Sequence, residues 1–70
     1  MEQSLDELPV DDPRRHARAL AEALRALERH AWQDTTQITD PAGKVLFEAA
    51  AEVLGGLASA FDRFASGVAV

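Results

Sequence analysis

The chain has 70 residues, no cysteine, two histidines and a formal net charge of −5. Its length allows at most one small domain, and the missing cysteines exclude disulfide bonds and thiolate metal sites. A domain of this size usually needs a further source of stability beyond its own core, and the association of subunits is the source that remains.

The negative charge is confined to the N-terminus. The first twelve residues carry five acidic side chains and no basic one, whereas residues 13–70 carry seven of each. A nucleic-acid surface needs clustered excess positive charge, so nucleic acid is not an expected partner. The acidic N-terminus lacks the features of a signal peptide, and Glu48 and Glu52 interrupt the most apolar window. We therefore expect a cytoplasmic protein with no membrane-spanning segment.

Residues 1–11 are predicted to form an acidic, flexible arm, in which Pro9 limits any helix to about one turn. The dipeptide Asp12-Pro13 then marks the start of a helix, because Asp is a favoured N-cap and Pro is favoured at the first helical position. The remaining chain, residues 12–70, is predicted to form a helical hairpin.

The first helix is predicted at about residues 13–35, ending where polar and β-branched residues arrive. Its apolar residues recur at the three- and four-residue spacing of an amphipathic helix. This stripe comprises Ala17, Leu20, Leu24, Leu27 and Ala31. The sequence contains six arginines to one lysine and abundant alanine, a bias that favours a bacterial origin.

A loop at about residues 36–40 leads to the second helix, predicted at about residues 41–66. Asp40-Pro41 repeats the start signal, with Thr39 as an alternative cap, and Gly67 suits the left-handed position that ends a helix. The pair Gly55-Gly56 allows two interpretations, a continuous helix or a break. The apolar pattern keeps its phase across the glycines, which favours the continuous helix.

The second helix carries more apolar surface than one partner helix can cover. At about 100° per residue its apolar side chains span an arc of roughly 200°, against about 100° for an ordinary surface helix. We predict that the excess forms an oligomer interface. The residues assigned to it are Leu46, Phe47, Val53, Leu54, Leu57, Phe61 and Phe64 of the second helix and Trp32 of the first.

The predicted fold is all-α, an antiparallel two-helix hairpin that forms a dimeric four-helix bundle, with a tetramer as the nearest variant. The short loop requires the two helices to be antiparallel neighbours. In the expected alignment the leucines of the first helix face the second, with Leu20 level with Gly55 and Leu27 level with Glu48.

Two surface features are candidates for contact with a partner protein. Trp32 is the only tryptophan, and tryptophan is enriched at the energetic centres of interfaces. Arg18, Arg25 and Arg29 are predicted to share the outward side of the first helix, with Glu22 between them. The arginines near the start of the helix oppose its dipole, a mild cost that hints at an acidic or phosphate-bearing partner.

No group of residues has the spacing of a catalytic site, so the expected function is that of a non-enzymatic, oligomeric interaction or regulatory module without a cofactor. One alternative is a metal or small-molecule site between subunits, built from His30, Asp34 and Glu28. The other alternative is weak nucleic-acid binding through the arginine side, with affinity that falls steeply with salt.

Overall fold

The computed structural model describes residues 8–67 as two α-helices packed against each other. Helix α1 spans Pro13–Thr35 and helix α2 spans Pro41–Ala65. The two form an antiparallel hairpin, which confirms the prediction of an all-helical hairpin. Most of the predicted arm, residues 1–7, and the last three residues of the chain, 68–70, lie outside the described residues.

Each helix begins at the Asp-Pro pair that the sequence indicates. The side chain of Asp12 accepts a hydrogen bond from the backbone N–H of Arg14 at 2.9 Å, and that of Asp40 accepts one from Gly43 at 2.7 Å. Such bonds satisfy amide groups that have no partner within the helix. After α2 the chain turns at Gly67, whose φ of 78° lies in the left-handed region that favours glycine.

The caps give a prediction that separates Asp40 from its neighbour Thr39. Asp40→Ala is expected to lower the free energy of unfolding by about 1 kcal/mol, because the Gly43 amide loses its acceptor. Thr39→Ala is the matched control, since Asp40 is the residue that caps α2. Urea unfolding followed by circular dichroism measures both, and equal losses would contradict the assignment of the cap.

Small side chains form the contact between the helices, which we call the seam. Its most buried members are Ala17, Ala21 and Thr35 of α1 and Ala51, Ala58 and Ala65 of α2. The expectation that the leucines of α1 face α2 is wrong for two of them, because Leu20 is 45% and Leu27 is 53% exposed. Alanine allows the two backbones to approach closely, and the larger side chains then lie beside the seam rather than in it.

The alignment of the helices also differs from the prediction. Glu28, rather than Leu20, lies level with Gly55, and Arg25 reaches Ser59. The cause lies in the connection, where backbone hydrogen bonds from Gln37 to Asp34 and from Ile38 to Thr35 continue the turn beyond α1. Helix α2 therefore starts beyond the end of α1 and is displaced along it.

Helix α2 is continuous through Gly55 and Gly56, the first of the two interpretations. A Cβ atom on Gly55 would lie 2.7 Å from Oε2 of Glu28, so this glycine makes room for the carboxylate across the seam. Among residues 8–67, nothing beyond the surrounding helical turns lies within 4 Å of where a Cβ atom on Gly56 would be. The hairpin itself thus gives a reason for Gly55 and none for Gly56.

The segment before α1 is attached to the hairpin in its described part. Leu8 is buried, and its carbonyl oxygen accepts a hydrogen bond from the Arg15 guanidinium at 3.1 Å. The backbone N–H of Asp12 donates to the carbonyl of Pro9. Across residues 8–67, neither helix combines the length and the apolar character needed to cross a membrane.

Candidate interaction surface

The seam divides the surface of the hairpin into two chemically different sides. On one side the helices present large apolar residues, which we call the apolar face. It consists of Leu20 and Leu27 of α1 and Phe47, Leu54, Leu57, Phe61 and Phe64 of α2. On the other side lie charged and hydroxyl side chains, which we call the polar side. The division follows from the helical repeat, because side chains three, four or seven residues apart lie on the same side of a helix. The large apolar residues have this spacing on one flank of the seam, and the charged residues have it on the other.

Within residues 8–67, the apolar face has a shallow depression near each end. The first, about 470 Å³, lies where α1 begins and α2 ends, and the second, about 250 Å³, lies towards the loop. The first is lined by Pro13, Ala17, Leu57, Ala60, Phe61 and Phe64. The second is lined by Leu27, His30, Ala31, Asp34, Phe47, Ala50 and Leu54. Both are open, so the face offers an uneven apolar surface rather than an enclosed ligand cavity.

The predicted interface residues of α2 are neighbours in the structure and remain accessible. Leu57 is 46% and Phe64 is 45% exposed in the isolated hairpin. Leu46 and Val53 lie further round α2, at the outer edge of the apolar face, and are 65% and 61% exposed. One α1–α2 contact therefore leaves much of the apolar arc of α2 in water.

Trp32 lies apart from these residues. It follows Leu27 by five positions, which places it about 140° further round α1 at the usual 100° per residue. Its side chain is 40% exposed. Trp32 and the apolar face therefore form two separate surfaces, although the sequence assigned Trp32 to the same interface.

The polar side is organised around Asp62. One carboxylate oxygen accepts a hydrogen bond from Nη1 of Arg18 at 3.1 Å, and the other accepts one from Nη2 of Arg25 at 3.0 Å. The same Nη2 of Arg25 donates to Oγ of Ser59 at 3.4 Å. All these side chains are partly exposed, so the contribution of each ion pair to stability is modest.

This cluster changes the predicted roles of the arginines. Arg25 reaches across the seam to α2 and does not belong to an outward side as expected. Arg18 pairs with both Glu22 and Asp62, and Arg29 is exposed. The sequence contained a signal for the cluster, since Arg18 and Arg25 are seven residues apart and so share a face, but Asp62 becomes their partner only in the observed alignment.

The arginines at the start of α1 have partners within their own segment. The guanidinium of Arg14 binds the carboxylate of Asp12 at 2.9 Å, and this contact lowers the pKa of Asp12. Arg15 donates to the carbonyl of Leu8. These contacts account for arginine in a helical turn where the dipole disfavours positive charge.

The residues of the alternative metal site are not brought together within one chain. His30 and Asp34 lie 3.6 Å apart on successive turns of α1, but Glu28 points into the seam at Gly55. Among residues 8–67 no three His, Asp or Glu side chains are grouped as metal ligands. The described part of the hairpin therefore offers a His–Asp pair at the edge of the second depression and no third ligand beside it.

Comparison with known proteins leaves the apolar face as the main guide to function. No protein-family model matches the chain, and no curated protein or solved structure matches it. A functional proposal therefore rests on the surfaces described above.

Proposed function

We propose that this protein is a non-enzymatic interaction module that works as a homodimer, with the apolar faces of two hairpins packed against each other as a four-helix bundle. The observation that carries the proposal is the exposure of large apolar side chains beside a seam of alanines. Hydrophobic burial is the main stabilising contribution in small domains, and this hairpin holds its bulkiest apolar groups outside its own core.

The size of the apolar face fits a stable dimer. The 25 residues of α2 give a length of about 37 Å, and two packed helices are about 20 Å wide. The face therefore measures roughly 700 Å², close to the 800 Å² or so that each partner buries in a typical specific complex. An isolated monomer rarely exposes a continuous apolar patch larger than a few hundred Å² without a use for it.

A second copy is the occupant that this face favours. The seven residues of the apolar face carry no charge, and a two-fold axis brings the same uncharged surface from the other chain. The ion pairs around Asp62 lie across the seam, on the polar side, and remain in water in such a dimer. Association would therefore bury apolar groups without burying those charges.

The dimer would present its remaining features to another protein. Trp32 and Arg29 lie away from the apolar face and stay accessible, in two copies related by symmetry. An exposed tryptophan beside an arginine is a combination common at the centres of protein interfaces. We therefore assign these residues to the contact with a further protein and not to self-association.

Sedimentation of the purified protein tests the proposal. We expect a particle of twice the chain mass at micromolar concentration, and a melting temperature that rises with protein concentration because assembly favours the folded state. The protein concentration should be varied about a hundredfold, which is roughly the range over which a simple dimer passes from mostly dissociated to mostly associated. A monomer whose melting temperature stays constant over that range would contradict the proposal.

A further inference from the structure

An exposed strip of apolar residues runs along α2 at the outer edge of the apolar face. Its residues are separated by 4, 3, 4, 4, 3 and 4 positions, so they stay on one side of a nearly straight helix. The strip consists of Ala42, Leu46, Ala49, Val53, Leu57, Ala60 and Phe64. Six of them are exposed and Ala60 is partly exposed. It continues the apolar face round the outside of α2.

The positions of the strip are spaced equally before and after Val53. A large side chain on one side of Val53 corresponds to a small side chain at the same distance on the other side. An antiparallel copy of α2 centred on Val53 sets Leu46 against Ala60 and Leu57 against Ala49. Phe64 then meets Ala42 at each end. Facing positions that alternate large and small allow two helices to interlock at the density of a protein interior.

A parallel copy of α2 lacks this complementarity. It would set each position against itself, so that Leu57 meets Leu57 and Phe64 meets Phe64, while Ala49 and Ala60 leave gaps. Bulky pairs hold two helices apart at some levels and voids weaken the contact at others. The order of side chains along α2 therefore favours the antiparallel arrangement.

We propose that α2 of one chain packs antiparallel against α2 of a second chain, with Val53 of both copies at the two-fold axis. The inference rests on the proposed homodimer and specifies which helices meet and in what direction. The loops of the two hairpins then lie at opposite ends of the assembly.

Gly56 supports this contact independently of the apolar pattern. A glycine inside a helix costs about 1 kcal/mol relative to alanine, and in the described part of the chain nothing beyond its own helical turns lies within 4 Å of the missing Cβ atom. In the antiparallel pairing Gly56 is level with Ala50 of the second copy, three residues from the axis. Two such small residues let the backbones approach closely near the axis, which gives Gly56 the reason that the single hairpin lacks.

Charge points to the same surface. No residue of the strip is charged, and the charged residues of α2 lie elsewhere around the helix. They are Lys44, Glu48, Glu52, Asp62 and Arg63. The outward side of α1, in contrast, carries His16, Glu22 and Arg29. Packing α2 against α2 therefore avoids the burial of charge that packing through the outside of α1 would require.

Cysteine cross-linking tests the inference, and the chain has no native cysteine to interfere. In Val53→Cys the two thiols face each other at the axis, so mild oxidation of the full chain should link most of it into covalent dimers. We expect a rate at least about ten times that of Arg29→Cys, a control on exposed α1, because a disulfide needs Cα atoms within about 6 Å.

Ala60→Cys distinguishes the two directions of packing. In the antiparallel arrangement the two copies of residue 60 are about 20 Å apart, from 1.5 Å per residue, so this variant should cross-link no faster than Arg29→Cys. Rapid linking of Ala60→Cys would show a parallel pair and overturn the inference.

Sedimentation of the reduced variants separates this inference from the proposed function. If the reduced proteins are dimers but Val53→Cys links no faster than the control, α2 is not at the axis and the inference fails while the homodimer stands. If wild-type protein is a monomer, both fail.

Discussion

Ala58→Leu is expected to unfold the hairpin or to lower its stability by about 3 kcal/mol, the upper part of the range for an overpacked core. Ala58 is completely buried in the seam, where its methyl group sets how closely α1 and α2 approach. A leucine there must push the helices apart, and the neighbouring seam contacts at Ala51 and Ala65 are lost with it. Thermal and urea unfolding followed by circular dichroism measure the change.

Ala26→Leu is the matched control for this variant. Ala26 is exposed on α1, so the same added side chain lies in water and helix propensity is nearly unchanged. We expect a melting temperature close to that of the wild type. Equal melting of Ala58→Leu and Ala26→Leu would mean that the alanine seam is not the contact that holds the two helices together.

Leu57→Asp is expected to separate the proposed dimer while leaving the helices formed. Leu57 is about half exposed in one hairpin but central in the proposed interface, where an unpaired carboxylate would be buried. The cost should be about 3 kcal/mol or more, which raises the dissociation constant about a hundredfold or more. Sedimentation over a dilution series measures it.

The control again uses Ala26, because Ala26→Asp adds the same charge at an exposed position of α1. It should sediment as the wild type does. A Leu57→Asp protein that dimerises as tightly as Ala26→Asp would place Leu57 outside the interface and remove the main support for the bundle. A loss of helix content in Leu57→Asp alone would show that folding of the hairpin depends on assembly.

The limits of the helices could be read from the sequence because their signals are local. Asp12-Pro13 and Asp40-Pro41 provide a cap and a fixed backbone angle within two residues, and Gly67 marks the end of α2 by its conformational freedom. The wide apolar arc of α2 could also be predicted from the sequence, since it depends only on the helical repeat.

The packing of one helix on the other could not be read in the same way. The sequence pattern predicted that Leu20 and Leu27 face α2, because they are large and apolar. In the structure, alanines form the contact instead, because their small side chains allow the two helix backbones to approach closely. The displacement of α2 depends on the two backbone hydrogen bonds from Gln37 and Ile38 in the connection, which no residue pattern specifies. The partnership of Asp62 with two arginines follows from that displacement and was missed for the same reason.

The alanine seam has a consequence for how such a protein would behave in a cell. The methyl groups of the seam bury little apolar surface, so the monomeric hairpin has low stability. In the proposed assembly, most of the free energy that stabilises the fold would come from association with the second subunit. The folded fraction of such a protein would therefore depend on its concentration in the cell. Scarce copies would open and be cleared by proteases, whereas copies made above a threshold would protect one another.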